Sequence, residues 1–280
     1  MVKKIKAKFS KISFKDRNLL KSYGGFVAIF SSCVTLISFC CPPTQGWSWS
    51  IGSFAAFFSV LVFKFIYDWY QANKTSQARL KINGTNVNVY IGDLFEQDGI
   101  KVIGVNNYID LIADDIKVSK TTLHGQFVMR HSEEIGDIKE AIENSNTLIV
   151  DTNTQQFGKQ SYEYGSCVIY KDYVLTVLTK FDMQNKAYTS IREYMLFWMT
   201  FWDNIDGLYN SRSINIPILG SGQTRFRGVI PEKQELLEIA LWTLEKSGFH
   251  NKYADKSINF IIHGKDAPEI DFYSIQKGFE

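Results

Sequence analysis

The sequence predicts a three-layer α/β sandwich with a mixed, mostly parallel sheet, preceded by a two-helix transmembrane hairpin. Three observations predict it. Two uncharged apolar runs stand close together near the N-terminus. After residue 80, strand-like stretches alternate with helix-like ones, the pattern of a sheet with helices on its faces. That part is about two hundred residues long, enough for one substantial core.

The first run, Gly24–Cys41, has eighteen residues and no charge. At helical rise it is about 27 Å long, close to the hydrocarbon thickness of a bilayer. Pro42-Pro43 stops it, because the ring clashes with the preceding turn and supplies no N–H, and Thr44-Gln45-Gly46 complete a turn. The second run is free of charge from Trp47 to Phe63 and continues through Lys64 to Tyr67, Trp69 and Tyr70. Trp47 and Trp49 at one end and these aromatics at the other read as interfacial belts, with the Lys64 stem reaching the headgroups. The predicted organisation is a basic arm over 1–23, a hairpin over 24–70 with spans 24–41 and 47–66, a linker over 71–84, and a globular domain over 85–280.

Charge sets the expected orientation. Eight Lys and Arg lie in residues 1–23 against the single acid Asp16, none lie in the turn, and Lys64, Lys74, Arg79 and Lys81 follow the second run. Both termini are therefore expected in the cytoplasm. A cleaved signal peptide fits less well, since no small-x-small cleavage site is clear and a second span follows at once. Ser31, Ser32, Gly52, Ser53, Ala55 and Ala56 suit close helix packing within the hairpin or between protomers. A net charge of +2 argues against a nucleic-acid partner. Cys33, Cys40, Cys41 and Cys167 form no CxxC pair, so neither zinc nor a disulfide framework is expected.

In the globular part, Asn86–Ile91 alternates as a strand should and is closed by Gly92-Asp93-Leu94-Phe95. Ile100–Val105 is continuously apolar, as in a strand buried on both faces, and ends in Asn106-Asn107. Ile135, Ile138 and Ile142 mark a helix over Ser132–Glu143. Strands follow over Gly165–Tyr170 and Tyr173–Thr179, then a helix over Ala187–Tyr209, then a strand over Ser213–Leu219. Pro231 opens a helix to Lys246 as its first residue, and Ser257–His263 is a last strand before a short helix.

In such folds ligands bind beyond the carboxyl ends of the strands. The turns at Asp93, Asn106 and Gly220-Ser221-Gly222-Gln223-Thr224-Arg225 stand there. Glycines let consecutive N–H groups converge on a phosphate, Ser221 and Thr224 add hydroxyls, and Arg225 or Arg227 adds charge. An ordinary tight strand-to-helix turn is the alternative for the same residues.

Together, "IGDLF" at 91–95, "IKVIGVNN" at 100–107 and "INIPILGSGQTRFRG" at 214–228 resemble the macro domain, a module that binds ADP-ribose and related nucleotides. The resemblance implies that Asp93, with Leu94, reads adenine and that Gly220 to Arg225 hold the phosphates. It makes "SKTTLHGQF" at 119–127 the opposing loop, with Thr122, Leu123, His124, Gly125 and Gln126 near phosphate and ribose and Gly125 just before a helix. Asn106 becomes a ribose contact, and Phe272 an aromatic that stacks on adenine or packs in the core. With two spans in front, and with "LTKFDMQNKA" at 178–187, the chain resembles the membrane-anchored macro-domain effectors of the Thoeris anti-phage system, type II architecture. That implies a bacterial inner-membrane receptor for ADP-ribose joined to histidine, a signal made from NAD by a TIR-domain partner. Ligand-promoted self-assembly and membrane disruption follow in that family. No cofactor is implied beyond the signal nucleotide.

Macro-domain hydrolases carry a second Asn three residues after the first, then glycines; here that position is Ile109, and 109–118 has no glycine. This favours a binding module over an enzyme. His124, His131, His250 and His263 show no metal-ligand spacing, and Ser166 and Ser221 lack a GxSxG elbow. A gating nucleotide sensor, a tethered hydrolase of ADP-ribose derivatives and a passive anchor remain the three function classes.

Overall fold

The computed structural model describes residues 12–40, 47–115, 118–152, 159–181, 186–249 and 256–279. The expected turn at 42–46 lies outside them, as do the side chains of Trp47 and Trp49. Two compact units are present: residues up to Ser76 together with Asp271–Gly278, and Gln77–Ile270.

In the first unit, helix α1 (Arg17–Cys40) and helix α2 (Trp47–Lys74) are both long and apolar enough to cross a bilayer. The lone acid of the basic arm has a local task. Asp16 accepts the N–H of Leu19 on its carboxylate at 2.9 Å and so caps α1. Ile29, Leu36, Phe54, Phe58 and Phe63 are exposed along the two helices, a surface that water does not favour. Phe30 stacks on Phe57 at 5.4 Å, and the Tyr23 hydroxyl donates to the Leu61 carbonyl at 3.0 Å. Lys64 pairs with Asp68 one turn on and lies 5.1 Å from the Phe26 ring centre.

Trp69, expected in an interfacial belt, is tied to the segment before α1. Its indole N–H donates to the Ile12 carbonyl at 2.9 Å, and Phe14 stacks on its ring at 4.4 Å. Ile12, Leu19 and Ala72 form a small buried cluster with Phe65, Trp69 and Tyr273. Tyr273 comes from helix α7 (Phe272–Gly278), so the end of the chain folds with its beginning.

The second unit is built on a sheet whose order, among the described residues, is β1-β2-β9-β7-β3-β5-β6-β8, with β4 beside β5. Strands β1 (Gln77–Ile82) and β2 (Thr85–Ile91) form an antiparallel hairpin. The segment 71–84 is therefore no linker: α2 runs to Lys74, and Ala78, Leu80 and Ile82 alternate inward along β1. Strand β2 pairs in parallel with β9 (Ser257–Ile262), β9 with β7 (Ile214–Pro217), β7 with β3 (Ile100–Asn106), and β3 with β5 (Tyr173–Phe181). β4 (Cys167–Tyr170) and β6 (Ala187–Thr189) are antiparallel to β5, and β8 (Arg225–Phe226) extends β6.

Helices cover the two faces. On one face α3 (Leu123–Arg130) and α4 (Ile135–Glu143) bury Phe127, Val128 and Ile138 against Ile103, Val105, Val177 and Ile261. On the other face lie α5 (Ile191–Ile205) and α6 (Lys233–Ser247). Phe260, one residue from Ile261 and so on the opposite face, meets Trp198 of α5 at 6.4 Å. The Ser190–Glu193 capping box starts α5 only after β6, so the helix expected from Ala187 begins four residues later. Glu232 is the N-cap of α6, which leaves Pro231 before the helix rather than at its first position.

Candidate ligand-binding site

Because β2, β9, β7, β3 and β5 are parallel, their carboxyl ends share one edge of the sheet. The Asp93 turn follows β2, residues 263–270 follow β9, the Gly220 loop follows β7 and Asn106 ends β3. At roughly 4.8 Å per strand, the first and last of these are separated by about 14 Å. The predicted turns are thus brought onto one edge.

The Asp93 turn is exposed and well held. The Asp93 carboxylate accepts the Phe95 N–H at 2.9 Å, and Gly92 donates to the Ile262 carbonyl at 3.0 Å. Leu94 points into the core instead and is 4% exposed, which leaves only its main chain for a ligand. The Arg130 guanidinium lies 4.2 Å from the Phe95 ring centre, which fastens this turn to α3.

Gly220 adopts φ +85, and its missing Cβ would meet the Tyr194 ring at 3.3 Å and the Phe226 ring at 3.4 Å. The Ser221 hydroxyl donates to the Ile218 carbonyl at 2.7 Å, so its proton serves the turn. The chain then leaves β7 and passes β3 and β5 in the sheet order to reach β6 as β8. Gly222, Gln223 and Arg225 are exposed along this arch, and nothing lies within 4 Å of a Cβ built on Gly222. Arg225 and Arg227 hold their guanidinium carbons 6.0 and 5.3 Å from the Tyr188 ring centre.

The opposing loop is more constrained than the sequence suggests. Thr122 caps α3 by accepting the Gly125 N–H at 3.0 Å, and its own hydroxyl donates to the Ser119 carbonyl at 2.7 Å. Gly125 therefore lies inside the first turn, not before the helix, and its N–H is already bonded. A Cβ there would stand 2.2 Å from the Ser119 carbonyl oxygen. Leu123 packs against the core, and the Gln126 amide donates to the Thr121 carbonyl at 3.3 Å. His124 is buried, and its Nε2 has no partner. Burial pushes its pKa down to about 4, against a smaller opposing pull from the Asp110 carbonyl and carboxylate. At neutral pH the ring carries no charge to offer a phosphate.

Asn106 is buried, and its side-chain oxygen accepts the N–H of Tyr108 at 3.0 Å and of Asp110 at 3.4 Å. That geometry orders the loop after β3. Asn107, which the sequence did not single out, is fully buried and donates to Ser161 at 2.8 Å while accepting the Phe181 N–H at 3.0 Å. Its partners lie 54 and 74 residues away, beyond any local pattern. Ile109 holds φ +48 although β-branched; burial in the core keeps it there. Asp110 is paired with Lys159 at 2.6 Å. Phe272, read from the sequence as stacking on adenine or packing in a core, is 1% exposed and belongs to the unit of the two long helices. A separate cavity of about 600 Å³ lies along β1 and β2, lined by Arg79, Asn86, Asn88 and Ser257.

A parallel-centred sheet between two helical layers, with a glycine arch at its carboxyl edge, defines a macro-type domain. The family model for the macro domain of Thoeris protein ThsA matches residues 87–263. Thoeris protein ThsA of Bacillus amyloliquefaciens (strain Y2) is 31% identical over 206 residues, covering 71% of this chain and 69% of that protein. Two solved structures, each a single-residue mutant of the Oceanobacillus iheyensis macrodomain, align with 14% and 15% identity and TM-scores of 0.41 and 0.38. They cover 73% and 72% of this chain, and 97% and 93% of their own. The chain belongs to the Thoeris ThsA macro-domain family, and is an anti-phage defence macro-domain protein with two candidate membrane spans in front.

Proposed function

We propose that this protein is a membrane-anchored effector whose macro domain senses an ADP-ribose-type signal at the carboxyl edge of the sheet. The open arch at Gly222 carries the reading. It supplies exposed main chain, conformational freedom at Gly220 and two arginines within a few residues, the requirements of a diphosphate. Asp93 offers an exposed acceptor suited to an exocyclic amine. The signal is histidine-linked ADP-ribose supplied by a TIR-domain partner, and the response is self-assembly and disruption of the bacterial inner membrane, with both termini cytoplasmic. The protein acts as a receptor rather than an enzyme. Ile109, which has no polar side chain, and Asn106, whose side-chain oxygen is committed to ordering its own loop, support this over hydrolysis.

The test is mass measurement of the full chain in detergent with and without histidine-linked ADP-ribose. An increase in oligomeric mass with ligand is expected; an unchanged mass removes the assembly step.

A further inference from the structure

Three asparagines cross the sheet in one row: Asn88 of β2 stands opposite Asn259 of β9, which stands opposite Asn215 of β7. The Asn215 amide nitrogen donates to the carbonyls of Asp98 at 2.7 Å and Ile100 at 3.1 Å. A carbonyl only accepts, so the Asn215 side-chain oxygen is the end that faces Asn259 and takes its amide N–H at 2.9 Å. The Asn259 oxygen in turn accepts the Asn88 amide and the Ser257 hydroxyl, each at 2.9 Å. Two main-chain carbonyls at one end thus fix the orientation of all three amides.

Asn88 is the open end of the row. It spends one amide N–H on Asn259, which leaves its side-chain oxygen and second N–H for the cavity of about 600 Å³ that it lines. Arg79 stands directly opposite Asn88 on β1 and lines the same cavity. It is exposed and has no carboxylate or hydrogen-bond partner among the described residues. No acidic side chain lines the cavity. Tyr90 forms part of its wall, the ring held by a hydroxyl that donates to the Gln97 side-chain oxygen at 2.9 Å. Asn88 is three residues short of the end of β2 at Ile91, roughly 10 Å back from the carboxyl edge, so this groove is separate from the glycine arch.

We propose that the groove along β1 and β2 is a second ligand site, for a nucleoside monophosphate. The unpaired Arg79 guanidinium takes the phosphate through its planar fork. Asn88, which offers an acceptor and a donor from one amide, takes the base edge as asparagine does with adenine. The Tyr90 ring supplies a flat wall for the base. Burying Asn215 and Asn259 costs desolvation that apolar residues would avoid, and the satisfied row that results holds the Asn88 amide in one orientation at the groove. The volume lies within the usual range of small-molecule pockets. The inference is independent of the sensor reading.

The test is equilibrium dialysis of the full chain in detergent against labelled AMP, with inorganic phosphate and unlabelled AMP as competitors. An AMP site should persist in Gly222→Ile, where the arch is obstructed. Adding Arg79→Gln to that variant should weaken AMP binding at least about tenfold, the loss of a charge-assisted hydrogen bond. Arg79 is exposed and unpaired, so the fold does not depend on it. Arg79→Lys keeps the charge without the fork and should fall between the two. AMP binding that Arg79→Gln leaves unchanged overturns the proposal, as does a Gly222→Ile variant that binds no AMP. Inorganic phosphate that competes as well as AMP itself overturns the base contact, and the nucleotide assignment with it.

Discussion

The Tyr194 hydroxyl, buried in α5, donates to the carbonyl of Leu219 at 2.8 Å and so ties the residue before the glycine arch to the helical layer behind it. Burial raises the Tyr194 pKa, so this donor keeps its proton at any physiological pH. Tyr194→Phe should cost about 1–2 kcal/mol, because a buried carbonyl loses its partner. Urea unfolding should show a lower midpoint with an unchanged slope, and ligand affinity should fall with it. An unchanged midpoint would show that the bond does not hold the arch.

Gly125 is fixed by space rather than by backbone angle. A Cβ at 2.2 Å from the Ser119 oxygen and 2.8 Å from the Lys120 Cα meets main chain that cannot step aside. Gly125→Ala should therefore destabilise by about 3 kcal/mol, the upper range for forcing one carbon into packed surroundings. Thermal unfolding measures it, and a neutral result would mean that the 119–122 turn is not seated against α3.

Gly222 is the opposite case. Nothing lies within 4 Å of its Cβ position, so Gly222→Ile should keep stability within about 0.5 kcal/mol. Its bulk would stand in the space proposed for the diphosphate and should abolish binding. Retained affinity in that variant would place the pocket elsewhere.

His124 makes stability depend on pH. Its folded pKa of about 4 lies below the ordinary 6.5, so the unfolded chain takes up the proton first. Stability is full above pH 6.5, declines as pH falls towards 4, and is flat below; the whole step is about 3 kcal/mol. Glu134, held down to about 2 chiefly by Lys171, loses its contribution only below the ordinary carboxylate value of 4.5. Urea midpoints at pH 7 and pH 5 should therefore differ less in His124→Gln than in the unaltered protein. Equal differences would show that another group titrates in this window.

Local signals made much of the fold legible. The uncharged runs, the continuous Ile100–Val105 strand and the Ile135, Ile138, Ile142 spacing each come from patterns shorter than twenty residues, and each stands in the structure. β1 was hidden because Gln77, Arg79 and Lys81 make its outer face look like a linker, although Ala78, Leu80 and Ile82 carry the inward alternation. The site was legible as glycines and turn residues at strand ends. Which groups are already committed was not: Gly125, Ser221 and Asn106 spend their hydrogen bonds on their own loops. Nor could the pattern show that Phe272 folds with the N-terminal helices, since that contact spans almost the whole chain.

The account depends on the glycine arch binding a diphosphate. Titration calorimetry of the full chain in detergent, with ADP-ribose and with its histidine conjugate, measures this directly. The account predicts saturable one-site binding of the conjugate that Gly222→Ile abolishes. No heat from either compound with the unaltered chain, in a preparation that unfolds cooperatively, would contradict it.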